Sequence, residues 1–121
     1  MESNGQSAVC DDWQCPVAKT ARLIEGKWTT RIIRDLLPGH RRYSELLQSL
    51  GNISPKVLAA RLKFMEQEGL ITRTVYPVIP PHTEYALTDL GRQLQGVIQA
   101  MAAFGQNLPG RLGEDQRASQ V

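Results

Sequence analysis

A mainly α-helical chain carrying one small β-hairpin, an α+β arrangement, is what the sequence predicts, and three observations carry that expectation. Leu46–Leu70, LLQSLGNISPKVLAARLKFMEQEGL, reads as a short helix, a tight turn and a longer amphipathic helix. Directly behind it the period changes from helical to alternating over Ile71–Tyr76, and Thr83–Leu87 reads as a returning strand. From Leu87 to Phe104 apolar residues then step by three and four. Two helices about a turn, a hairpin behind them and an apolar seam beyond spell a winged helix-turn-helix, with terminal helices able to dimerise.

The elements follow in order. Met1–Val9 is small and polar, so residues 1–14 are expected to be a flexible leader. Pro16 suits a first helical position with Cys15 as its cap, Val17, Ala21 and Ile24 trace one face, and Gly26 ends the segment. A second helix is expected over Lys27–Leu37, with Trp28, Ile32 and Leu36 on one side and Pro38-Gly39 as its stop. The helix-turn-helix spans 43–69. Leu46, Leu47 and Leu50 anchor its first helix, and Gly51 supplies the positive φ a helix end favours. Ser54 caps the second helix and Pro55 takes its first position. Leu58, Leu62 and Met65 form that helix's core stripe, widened by Val57 and Phe64. The wing covers 71–87, its strands β-branched and aromatic, its tip too rich in proline to continue a ladder. The last helix is expected over 88–104, with Thr88 as cap and Asp89 at the favourable dipole end. Gly91 and Gly96 weaken it unless packing supports them. The domain thus runs 15–105, and 106–121 reads as a flexible tail.

Bulk properties narrow the function. At 121 residues the chain is long enough for one cored domain, and its formal net charge is only +2. The distribution says more: between Lys27 and Arg73 lie nine Lys/Arg against four acids. No apolar run approaches the roughly 20 residues of a membrane span, and no secretory signal opens the chain. A cytoplasmic location is the expectation, in which Cys10 and Cys15 are mostly reduced thiols.

Several residue sets point to DNA. A major groove admits one α-helix, whose first turns reach base edges. Ser54, Lys56, Ala60 and Lys63 are candidates for that face, with Ala59 placed to touch a thymine methyl. Arg42, Tyr43 and Ser44 open the preceding helix, where exposed N–H groups favour a phosphate. Arg73 opens the wing strand and His82 closes its tip, both as candidate backbone contacts. The bland alternative for each is a solvated face, a cap or an exposed tip. The seam Leu90, Leu94, Val97, Met101 and Phe104, with Val17, Ala21 and Ile24 of the first helix, is the candidate dimer interface; core packing is its alternative.

Cys15, at a helix start with Lys19 and Arg22 following, lies where a thiolate is favoured, and Cys10 is its candidate disulfide partner. An inert helix-start residue is the alternative. Zinc is not expected, because His40 and His82 sit far from the two thiols. Nor does the chain carry a glycine-rich phosphate loop, a nucleophile elbow or a CxxC pair, so neither an enzyme nor a cofactor is expected.

An ordered set of short motifs resembles the HxlR-type family: Cys15-Pro16-Val17, Leu23-Ile24-Glu-Gly26-Lys27-Trp28, Arg42-Tyr43-Ser-Glu45-Leu46, Glu68-Gly69-Leu70-Ile71, Val75-Tyr76-Pro77 with Pro80-Pro81, and Glu84-Tyr85. The resemblance runs from Cys15 to about Gly105. It implies a bacterial regulator that binds double-stranded operator DNA as a homodimer built from terminal helices. It also implies a possible oxidant or electrophile sensor at the cysteine of the CPV motif. The chain departs from the family at the wing, with Val78 where an acid is frequent and His82 where a base is frequent. The expected function is a sequence-specific transcriptional regulator, responsive to a small electrophile or oxidant through Cys15. Its alternatives are a regulator with an effector pocket at the dimer interface and an inert Cys15, and a winged-helix module that binds protein.

Overall fold

The structure, a computed structural model, describes residues 14–110. Within them the order is α1 (Pro16–Ile24), α2 (Thr29–Leu36), β1 (Arg41–Arg42), α3 (Tyr43–Leu50), α4 (Pro55–Gln67), β2 (Ile71–Tyr76), β3 (His82–Leu87), α5 (Asp89–Arg92) and α6 (Gln95–Gln106). This is a winged helix-turn-helix. Residues 1–13 of the expected leader and 111–121 of the expected tail lie outside the described residues.

Local chemistry explains most boundaries. Pro55 occupies the first position of α4, and the Ser54 hydroxyl accepts the Val57 N–H at 3.1 Å. At the other end Gly69 adopts φ +78, so that Gly69 N–H reaches the Glu66 carbonyl and Leu70 N–H reaches Met65. That paired closure satisfies the last carbonyls and turns the chain directly into β2. Helix α2 starts two residues later than the pattern suggests, because Trp28 serves as its cap.

The core forms where α2, α3 and α4 meet the sheet. Ile32, Ile33 and Leu36 of α2, Leu46 and Leu50 of α3, and Leu58, Leu62 and Met65 of α4 are all buried. Leu70, Ile71, Tyr85 and Leu87 close it from the wing side. Phe64 packs against this core, but Val57 is exposed and does not widen the stripe of α4. One buried polar group bridges two helices: Thr29 of α2 accepts a hydrogen bond from the Arg61 guanidinium at 3.2 Å. Arg61 also lies over the Phe64 ring, so a cation of the basic zone is turned inward.

The sheet has three strands in the order β1-β3-β2, all antiparallel. The hairpin pairs Ile71 with Leu87 through Tyr76 with His82, and β1 adds Arg41 opposite Tyr85. The extra strand was not foreseen; two residues leave no readable alternation.

The single last helix expected over 88–104 is instead two. Helix α5 is one short turn capped by Thr88, whose hydroxyl accepts the Gly91 N–H at 3.0 Å. Tight i→i+3 bonds from Gln93 to Leu90 and from Leu94 to Gly91 then redirect the chain into α6. Gly91 is the reason for the close fit: a Cβ there would collide with the Leu70 carbonyl oxygen and press on the Leu87 side chain. The break also corrects the seam. Leu94 is only 8% exposed and belongs to the monomer's core rather than to a free interface.

Candidate nucleic-acid interface

Helix α4 presents two chemically opposed faces. Leu58, Leu62 and Met65 are buried, while Lys56, Ala59, Ala60 and Lys63 are all exposed. The exposed set is slim in its middle and cationic at both ends, so a groove wall could approach the backbone closely between two ammonium groups. Ser54 sits at the same end, its oxygen committed to the cap.

The angle between α3 and α4 is fixed by a side chain expected to touch phosphate. The Tyr43 hydroxyl donates to the Pro55 carbonyl at 3.1 Å, tying the start of α3 to the start of α4. A phenol has one O–H, and here it is spent within the chain. Tyr43 is therefore a positioning residue and has no proton left for a phosphate. Glu45 caps its own helix by accepting the Arg42 N–H at 2.8 Å. A second brace joins α2 to α3, where Ser49 donates to Asp35 at 2.7 Å.

Two clefts flank the wing. One, of about 290 Å³, lies between Arg42, Tyr43 and Ser44 on one side and Pro81, His82 and Thr83 on the other, with Tyr85 between them. The other, of about 390 Å³, is lined by Ala59, Lys63 and Glu66 of α4 together with Arg73 and Tyr85 of the sheet. Arg42, Ser44, Lys63 and Arg73 are exposed; Lys63 of α4 and Arg73 of β2 share one cleft, and Arg42 of β1 and Ser44 of α3 share the other with the start of β3.

His82 behaves differently from an exposed tip residue. Its ring stacks on Tyr76 with centroids 4.9 Å apart, and its Nε2 lies 3.0 Å from the Glu84 carboxylate. The other Glu84 oxygen meets His40 Nδ1 at 3.3 Å. This His40–Glu84–His82 cluster was missed. Its readable part is the i, i+2 spacing of His82 and Glu84, which puts both on one face of a strand; His40 arrives only because β1 joins the sheet.

At the ends of the chain, Val17 and Phe104 are each 66% exposed, Ala21, Leu90 and Met101 are exposed, and Ile24 and Val97 are half-buried against the core. Cys15 caps α1 without a side-chain bond to the helix N–H groups. It is joined in a disulfide, in contrast to the expected reduced thiol, and Cys10 lies outside the described residues. Among the described residues no cluster of metal-ligating side chains occurs, and no helix is long and apolar enough to cross a membrane.

Comparison with known proteins places this geometry. A family model for the HxlR-like helix-turn-helix matches residues 23–111. The HTH-type transcriptional regulator YtfH of Escherichia coli is 39% identical over 108 residues, 88% of this chain and 86% of its own. Among solved structures, a protein of Porphyromonas gingivalis described as a MarR-family transcriptional regulator superposes with a TM-score of 0.78. It is 41% identical, over 81% of this chain and 97% of that one. The redox regulator HypR in its oxidized form gives a TM-score of 0.72 at 32% identity, over 78% of this chain and 98% of that one. From the match over most of its length, this chain is a transcriptional regulator with a helix-turn-helix fold and belongs to the HxlR-like family.

Proposed function

We propose that the protein binds operator DNA sequence-specifically as a homodimer and that oxidation at Cys15 changes its affinity. The observation that carries the DNA reading is the exposed face of α4, with Lys56 and Lys63 bracketing Ala59 and Ala60, beside a cleft shared with Arg73 of the wing. In this reading α4 lies in the major groove, where Ala59 and Ala60 allow close approach and the lysines reach guanine edges or phosphates. Arg42 and Ser44 meet backbone phosphate through their side chains, since Glu45 already occupies the Arg42 N–H. The apolar residues left exposed on α1 and α6 face the second copy, which would set two α4 helices about 34–36 Å apart.

Binding of the purified protein to duplexes enriched from a randomised library, measured across a salt series, tests the DNA reading. Affinity should fall steeply as salt rises. Lys63→Ala should weaken binding and, if the residue meets phosphate, reduce the salt slope by about one. A flat salt response would defeat the reading and favour a protein-binding module.

The redox reading is supported by the position of Cys15 at the head of α1 and by the similarity to HypR, a redox regulator. Diamide takes two electrons and two protons from a pair of thiols as their disulfide forms. The wild-type protein, first reduced with dithiothreitol, should change its operator affinity on diamide treatment, and Cys15→Ser should bind like the reduced protein with or without the oxidant. A mutant that still responds would move the sensor elsewhere and favour an inert Cys15 with an effector pocket between subunits.

A further inference from the structure

We infer that Lys27 and Arg31, gathered on the indole of Trp28 at the start of α2, hold the phosphate backbone along the wall of the major groove away from the wing. The inference rests on the DNA-binding reading above and adds a contact from a helix outside the helix-turn-helix. Lys27 Nζ lies 4.9 Å and the Arg31 guanidinium 4.8 Å from the centre of the Trp28 ring. Trp28 packs against the core, so the two cations share one anchored aromatic platform. Lys27 is exposed and Arg31 half-buried, and neither makes an ion pair among the described residues.

Helix α4 fixes where this platform stands. Val57, Arg61 and Phe64 step by four and three along one flank of that helix, while Ala59, Lys63 and Glu66 step the same way along the other. The second flank shares its cleft with Arg73 of the wing. The first meets α2, because the Arg61 guanidinium donates to the hydroxyl of Thr29, the first residue of that helix, at 3.2 Å. Lys27 and Arg31 therefore lie on the side of α4 away from the wing. A helix with its side chains is about 10–12 Å across and the major groove about 12 Å wide, so each flank of a seated helix faces one phosphate wall. The wing stands over one wall and the start of α2 over the other.

The charges are placed against the interests of the free monomer. From Gly26 to Arg34 the chain has three cations and no acid. Lys27 and Arg31 are four residues apart and repel each other, and both sit at the end of α2 where the helix dipole disfavours cations. A row of phosphates reverses both penalties. The contacts with the indole also limit where the two charged groups can go, which lowers the entropy lost on docking. An acidic protein would match the charge as well, but the Arg61–Thr29 link joins these cations to the helix that enters the groove, which favours the duplex. Backbone contacts carry no sequence information, so Lys27 and Arg31 would set how α4 is seated and leave base choice to its exposed face.

The test uses the full chain and a duplex enriched by the wild-type protein from a randomised library. The double variant Lys27→Gln/Arg31→Gln is expected to bind that duplex about tenfold more weakly, with a salt slope reduced by about two. It should enrich the same sequence as the wild type, and hydroxyl-radical protection should weaken on one backbone wall of each half-site only. Its melting temperature should hold or rise, because the repulsion is relieved; a merely structural role would lower it. The charge-keeping variant Lys27→Arg/Arg31→Lys should retain the affinity and the slope. Unchanged affinity and slope in the double variant, with Lys63→Ala still impaired, would overturn the α2 contact alone. A changed sequence preference would overturn the backbone assignment. Failure of the wild type to enrich any duplex would overturn the DNA reading and this contact together.

Discussion

Helices α4 and α6 have similar lengths, thirteen and twelve residues, yet one chain covers them very differently. Helix α4 buries Leu58, Leu62 and Met65 almost completely, and what it leaves outside is mostly small, polar or charged, with Val57 the exception. Helix α6 buries nothing fully and leaves Met101 and Phe104 in water. The contrast lies in what remains rather than in how much. The leftover face of α4 is stable in water and suited to a polar, charged surface. That of α6 is a standing cost that only another apolar surface removes. One helix is finished within the monomer and the other is not.

The largest expected effect breaks the contrast at its unfinished end. Phe104→Glu should make the protein monomeric by analytical ultracentrifugation and weaken operator binding about a hundredfold through loss of bivalency, with the monomer's fold unchanged by circular dichroism. A dimer that survives this change would show that α6 is covered by something else. Next comes the joint between the two regions. Gly91→Ala should destabilise the fold by about 2 kcal/mol in urea denaturation, since the added methyl meets backbone rather than a movable side chain. The smallest effect sharpens the finished end. Tyr43→Phe should lose about 1 kcal/mol of stability in urea and weaken binding, because its hydroxyl orients α4 through the Pro55 carbonyl. Weakened binding with unchanged stability would return Tyr43 to the DNA surface.

Features whose causes are local were legible in the chain. The span of α4 follows from Ser54, Pro55 and Gly69, and β2 follows from its β-branched run, so both could be read from adjacent residues. What could not be read depends on residues far apart in sequence. The apolar steps from Leu87 to Phe104 suggest one continuous seam, but the approach of Gly91 to Leu70 bends the chain and sends Leu94 into the core. The Tyr43 hydroxyl finds Pro55 only because α3 crosses α4, and the same residue on an isolated helix would point at solvent. For the candidate DNA residues of α4 the pattern located the exposed face. For His82 it did not, because spacing alone does not show that a strand neighbour and an aromatic ring occupy the imidazole, or that His40, just before β1, takes the other oxygen of Glu84.

The joint where α4, the wing and α5 meet has a consequence for how such a chain can vary. It is held by the Thr88 hydroxyl donating to the Gly69 carbonyl at 2.6 Å, the Thr88 N–H donating to Leu70 at 2.9 Å, and Gly91 lying against the Leu70 carbonyl. Nearly all the atoms involved are backbone. The junction therefore demands only a hydroxyl at 88, no side chain at 91 and a left-handed residue at 69, and it is indifferent to what the surrounding faces carry. On the reading proposed above, the exposed face of α4 and the exposed apolar residues of α1 and α6 can be rewritten independently while the mechanical connection between them is inherited unchanged.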